Sequence, residues 1–205
     1  MLVPGDAAAT VSNIVDNQGR FRIGVLSFII MVIFDVVLTW ALYILLAPVN
    51  KDLSLLAAWF RLVNCAIFGI ALFNLPAALT LAGGAGYLGA LGAEQRHALV
   101  MLQLDAFNDT WLVGLIFFGI HLLLLGYLII RSGFIPVFVG VLLLAAGAGY
   151  LTDSFANFLL SNYEQYQSVF MLIVVVPGVV GELSFTVWLL AKGVKGLPQW
   201  ESAAS

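Results

Sequence analysis

Four ionisable residues, Asp35, Arg61, His121 and Glu182, lie deep inside long apolar stretches of the chain. Asp35 stands twelve residues before Ala47, and Arg61 eight after Leu53; His121 stands ten before Arg131, and Glu182 ten before Lys192. At about 1.5 Å per helical residue, all four fall roughly 12–18 Å from the same end of their stretches. Ionisable groups at such depth in hydrocarbon are costly, and by default they mark a pathway or a site. Two carboxyls, one imidazole and one guanidinium that stays charged form a layer of charge −1 when His121 is neutral. The layer becomes neutral with one more proton. In a low dielectric its proton affinities are expected to be strongly shifted. A proton relay requires that, and a structural ion pair has the same appearance.

Each charge has a polar companion on its own helix face. Asn64 is at i+3 from Arg61, Thr39 at i+4 from Asp35, and Thr186 at i+4 from Glu182. Polar residues also fasten transmembrane helices to each other, so these pairs fit both readings. Just before Glu182 the chain reads Val176-Pro177-Gly178-Val179-Val180-Gly181. Pro177 has no N–H to give to the carbonyl of Ile173, so Pro177, Gly178 and Gly181 predict a break in the helix. Broken helices beside charges form binding sites in transporters, although Pro and Gly are also common in ordinary spans. A second polar set comprises Asp105, Asn108, Asp109, Asp153 and Asn157. Its oxygens suit a divalent cation such as calcium, but a solvated external rim is the preferred reading, and no metal is assigned. Cys65 is the only cysteine, and the two histidines are His97 and His121. No disulfide and no zinc, haem c or iron–sulfur spacing is present, and no cofactor is expected.

The elements that carry these residues follow from composition. Of 205 residues, 62% are hydrophobic and 9% charged, with formal net charge −3 and mean hydropathy +1.08. A soluble domain carries about 25% charged residues. A soluble, disordered or nucleic-acid-binding chain is therefore excluded, and a lipid bilayer is the expected surrounding. The fold class is all-α, a polytopic transmembrane helical bundle treated as a single domain over 1–205. Its five spans lie near 22–47, 53–82, 110–130, 134–151 and 168–191, each near the ~20 residues a crossing needs. Residues 94–109 read as a helix leading into the third span. Residues 1–21 read as an external interfacial segment. It holds a short helix capped by Asp6 and ended by Gly19, with Val11, Ile14 and Val15 on one face. No secretory signal pattern opens the sequence.

Basic residues set the orientation. Lys51, Arg131, Lys192 and Lys195 fall on one side, and Arg20, Arg22 and Arg96 on the other. The tail 192–205 is therefore placed in the cytoplasm and Met1 outside. Gly119, Gly126 and Gly133, spaced by seven, and the Ala145/Gly149 pair read as helix packing. Trp40, Trp59, Trp111, Trp188 and Trp200 read as interfacial anchors.

Several runs resemble a bacterial membrane family known as domain of unknown function 4386. They are Val3 to Thr10, Leu45 to Asn50, Phe117 to Pro136, Gly147 to Asp153, and Gly181-Glu182. The resemblance covers nearly the whole chain and implies a bacterial cytoplasmic membrane location, but it carries no activity. It also implies six spans in full-length relatives, with one more before the Val-Pro-Gly-Asp run. Val137 departs from the family, which often has a basic residue there.

Three functions remain open. In the first, the chain is a structural or partner-binding bundle whose buried Asp35–Arg61 pair fixes helix registry; a homo-oligomer is compatible with it. In the second, the mid-membrane layer Asp35/Arg61/His121/Glu182 serves a small-molecule or proton-coupled transporter. In the third, His121 and Glu182 are the acid and base of an intramembrane enzyme.

Overall fold

The computed structural model describes residues 2–193; Met1, Lys195, Trp200 and the rest of the expected tail from 194 onward lie outside them. The described residues are all-α. Seven α-helices follow in order, with a 3-10 turn (Gly86–Leu88) between the fourth and fifth: α1 (Ala7–Asp16), α2 (Gln18–Leu46), α3 (Lys51–Leu72), α4 (Asn74–Ala82), α5 (Ala93–Ser132), α6 (Val137–Leu159) and α7 (Tyr163–Gly193). Five stretches are long and apolar enough to cross a membrane: α2, α3 with α4, α5, α6, and α7 from Gln165 to Lys192.

Local chemistry accounts for the ends and bends. Val3-Pro4-Gly5-Asp6 is a turn closed by the Asp6 N–H on the Val3 carbonyl at 3.1 Å. Gly5 takes φ +77, and Pro followed by glycine at positive φ suits a type II turn. Asp6 then caps α1, its carboxylate accepting from the Ala9 N–H at 2.8 Å. Thr10, fully buried, accepts from the Val3 N–H at 2.9 Å. The expected end of α1 at Gly19 is corrected: Asn17 is the C-cap, and Gly19 already belongs to α2. Val11 and Ile14 are buried, whereas Val15 is exposed.

The α2–α3 turn is held by Asn50, whose side chain accepts from the Leu53 N–H at 3.0 Å, and by the Ser54 hydroxyl on the Tyr43 carbonyl at 3.0 Å. The expected second span is bent between α3 and α4. Pro76 leaves the carbonyl one turn earlier without a helix donor, and the Asn74 side chain donates to the Ala71 carbonyl at 3.0 Å. The helix expected over 94–109 runs straight on into the third span as one 40-residue helix, α5. The α6 helix runs eight residues past the expected end at 151 and carries Asp153 and Asn157 within it.

Two compact units arise. The first contains Met1–Thr39 and Leu62–Gly114; the second contains Trp40–Arg61 and Leu115–Ser205. The first packs α1 against α4, with Ile14, Ala78 and Val100 fully or almost fully buried. An aromatic stack adjoins this core: Trp111 lies flat on Phe68 with ring centres 3.6 Å apart, and Phe28 meets the Trp111 ring edge-on at 5.4 Å. Trp111 is therefore a packing residue, whereas Trp40 and Trp59 are 65% and 60% exposed, as interfacial anchors would be.

The second unit is built on glycine. A Cβ at Gly126 would lie 2.7 Å from the Gly140 carbonyl oxygen, and a Cβ at Gly140 equally close to that of Gly126. Gly119 and Gly147 repeat this reciprocity two turns further on. The backbones of α5 and α6 thus touch, which only glycine permits. Both pairs straddle Gly133, seven and fourteen residues to either side; Gly133 itself makes the turn at φ +71. On its other face α6 packs against α7, with Gly149 against the Ile173 carbonyl and Gly181 against the Leu142 backbone.

Candidate functional site

In the second unit the polar site starts from His121 on α5, which is 2% exposed. Its Nδ1 is 2.8 Å from the Ala57 carbonyl oxygen on α3, and its Nε2 is 3.2 Å from Nη1 of Arg61 one turn later. A carbonyl only accepts and a guanidinium only donates. Nδ1 therefore carries the hydrogen and donates to Ala57, while bare Nε2 accepts from Arg61. That tautomer is neutral. Arg61, 7% exposed, has its guanidinium 5.2 Å from the Phe118 ring centre, a cation–π distance. Phe118 also lies alongside His121 and meets the Tyr150 ring edge-on at 5.4 Å. The Tyr150 hydroxyl donates to the half-buried Glu182 carboxylate at 3.2 Å. Arg61, His121 and Glu182 thus belong to one unit, with Phe118 and Tyr150 between the clamp and the acid.

Asp35 and Asn64 lie in the first unit. Asp35 is half-buried on α2. Asn64, fully buried, donates to the Gly114 carbonyl at 3.0 Å. Its Oδ1 has no partner among the described residues. The expected companions behave differently from their sequence reading. Thr39 donates to the Asp35 backbone carbonyl at 2.7 Å and Thr186 to that of Glu182 at 2.8 Å. Both are ordinary bonds back to the carbonyl four residues earlier, and neither serves a carboxylate.

The expected break at Pro177, Gly178 and Gly181 is also corrected: α7 runs through Pro177 without interruption. The proline frees the Ile173 carbonyl, and that oxygen is the one lying against Gly149, 2.7 Å from where a Cβ would be. The freed oxygen thus faces the Gly149 backbone of α6, where a side chain would collide with it. Gly178 accommodates Tyr150, the tyrosine that holds Glu182.

The expected rim is divided. Asp105, Asn108 and Asp109 are exposed on the first unit. Asp153 and Asn157 are on the second, where the Tyr163 hydroxyl donates to Asp153 at 2.6 Å. Burial first, then this bond, raises the Tyr163 phenol from its usual 10 to about 12. Among the described residues no three His, Cys, Asp or Glu side chains gather as metal ligands.

Sequence reasoning missed three features. Ala57 contributes to the site only through its carbonyl, and nothing in their residue types sets Phe118 and Tyr150 apart from the other aromatics of the chain. In the first unit, a cavity of about 670 Å³ has Arg20, Gly24, Phe28, Asp105, Phe107 and Asn108 in its lining; its walls come from elements far apart in the chain.

An all-α chain with five membrane-length helices, fastened by a buried arginine–histidine clamp and glycine seams, is a polytopic helical protein of the membrane type. Residues 1–193 match the family described as Domain of unknown function (DUF4386), and the chain belongs to that family. An uncharacterized protein of Archaeoglobus fulgidus is 33% identical over 171 residues, covering 83% of this chain and 84% of its relative. No solved structure matches the chain.

Proposed function

We propose that this is a multi-pass protein of a bacterial cytoplasmic membrane, with its C-terminus in the cytoplasm, whose intramembrane polar residues fasten helices together. The observation that carries this reading is the double engagement of His121: one ring nitrogen holds Ala57 and the other holds Arg61. An imidazole occupied at both nitrogens within a packed aromatic setting is a joint between α3 and α5. The exposed apolar residues of α2 and α7, such as Phe34 and Leu172, are then lipid-facing.

A transporter is the second reading. It is favoured by the half-buried Glu182 carboxylate, which accepts from the Tyr150 hydroxyl on a helix that carries a proline. One set of measurements separates the two. The purified chain is reconstituted into vesicles loaded with a pH dye, and its thermal unfolding is followed in detergent. The structural reading expects His121→Leu to lower the unfolding temperature and proton permeability to equal that of empty vesicles. A wild-type proton flux abolished by Glu182→Gln would establish the transporter instead.

A further inference from the structure

The cavity of the first unit has no part in the His121 clamp. At about 670 Å³ it falls within the roughly 300–1,000 Å³ of small-molecule sites. Its lining is graded. Arg20 stands at the start of α2, and Phe21, Gly24, Val25 and Phe28 follow at helical spacing along the same face. Phe28 meets Phe107 of α5 at 5.9 Å between ring centres, and both rings line the cavity. Asp105 and Asn108 join them from α5.

The lining therefore offers one cation, one anion and one amide together with apolar walls. Neither Arg20 nor Asp105 has a hydrogen-bond or ion-pair partner among the described residues. A ligand complementary to that set carries a negative group for Arg20, an ammonium with hydrogens for Asp105, and a hydrocarbon chain for the phenylalanine side. We propose that this cavity binds a phospholipid with an amine-bearing zwitterionic headgroup, phosphate on Arg20, ammonium on Asp105, and the start of one acyl chain against Phe28 and Phe107. The proposal rests on the membrane reading above, which places Arg20 and Asp105 at headgroup level.

Gly24 provides the decisive variant. A Cβ built there meets nothing within 4 Å, so Gly24→Leu grows into open space. It also replaces the poorest helix former after proline by a good one. The test uses the full chain, stripped of lipid in detergent and then offered phosphatidylethanolamine, phosphatidylglycerol or phosphatidylcholine at equal concentration, with bound lipids counted by native mass spectrometry. One phosphatidylethanolamine is expected to be retained, with about tenfold preference over phosphatidylglycerol, as one charge-assisted hydrogen bond gives. Phosphatidylcholine, whose ammonium has no hydrogen to donate, is expected to be retained less. Gly24→Leu is expected to abolish that retention without lowering the unfolding temperature, Asp105→Asn to remove the headgroup preference, and Arg20→Gln to weaken retention of all three. Equal retention of the three lipids, or undiminished retention by Gly24→Leu, would overturn the proposal. Alkaline extraction of membranes carrying the same variants reads the membrane reading separately: a chain that stays in the membrane but shows no headgroup preference removes the lipid site alone.

Discussion

At the scale of single residues, hydrogen-bonding rules define the clamp. His121 faces a group that can only accept and a group that can only donate, so its tautomer follows. Nitrogen NMR of histidine-labelled protein is expected to show His121 protonated at Nδ1 and bare at Nε2; the opposite tautomer would refute the assignment. His121→Leu removes both bonds and leaves the guanidinium and the Ala57 carbonyl to find others. Bonds between membrane helices contribute about 0.6 kcal/mol on average and up to about 1.7, so a loss of about 1–2 kcal/mol in detergent unfolding is expected. Tyr163 gives a pH signature at the start of α7. Its phenol is raised above the unfolded value, so its contribution to stability is complete below pH 10 and disappears as the pH rises through about 12. The difference in phenolate absorbance between wild type and Tyr163→Phe is expected to rise later than that of an ordinary tyrosine. Asp153→Asn is expected to bring it earlier. That His121 and Arg61 stand well inside long apolar helices was legible from counting along the chain. Their actual partners were not, because a backbone carbonyl carries no sequence signal and Phe118 resembles any other phenylalanine.

At the scale of elements, glycine sets how the helices meet. Gly126→Ala and Gly140→Ala each place a methyl against the opposing carbonyl, and forced overpacking costs about 1–3 kcal/mol. Because one widening of the α5–α6 seam relieves both, the double variant is expected to lose less than the sum of the two; strict additivity in thermal unfolding would argue against a shared seam. Gly149 and Pro177 form a second coupled pair. Gly149→Ala is expected to destabilise the wild type strongly. In a Pro177→Ala background its effect is expected to be smaller, since the Ile173 carbonyl regains its helix donor and tolerates being pushed away. Equal effects in both backgrounds would dismiss the link. Helix positions were readable from runs of apolar residues. The continuity of α7 was not, since a proline signals the lost bond but not the glycine on another helix that leaves room for the freed carbonyl. The length of α6 was hidden for a related reason: Asp153 and Asn157 look like loop residues until Tyr163 is seen to fold back onto Asp153.

At the scale of the whole molecule, scarcity of charge identified the class, and the five apolar helices agree with it. The orientation proposed from the basic residues is read directly by thiol labelling. Cys65 is buried, which gives a low background for thiol labelling. With the C-terminus inside, a cysteine at Ser161 is expected to react with a membrane-impermeant maleimide in intact cells. One at Asp52 is expected to react only after permeabilisation. The reverse pattern would invert the topology while leaving the clamp unaffected. The 670 Å³ cavity lay beyond sequence reasoning because its lining comes from distant parts of the chain, and only the fold shows that Arg20 and Asp105 share it.

The placement of Gly133 midway between its two glycine pairs carries a consequence for how this chain can vary. Surface turns ordinarily absorb inserted or deleted residues with little penalty. This one resists such changes, because the glycines of α5 and α6 meet at matched distances from Gly133, and an added residue between Ser132 and Pro136 that shifted α6 instead of looping out would break that register. Bulky neighbours would then face each other where the glycines meet now. The turn acts as a ruler for the two helices it joins, and natural variants of this protein are expected to differ in the identity of its residues but not in their number.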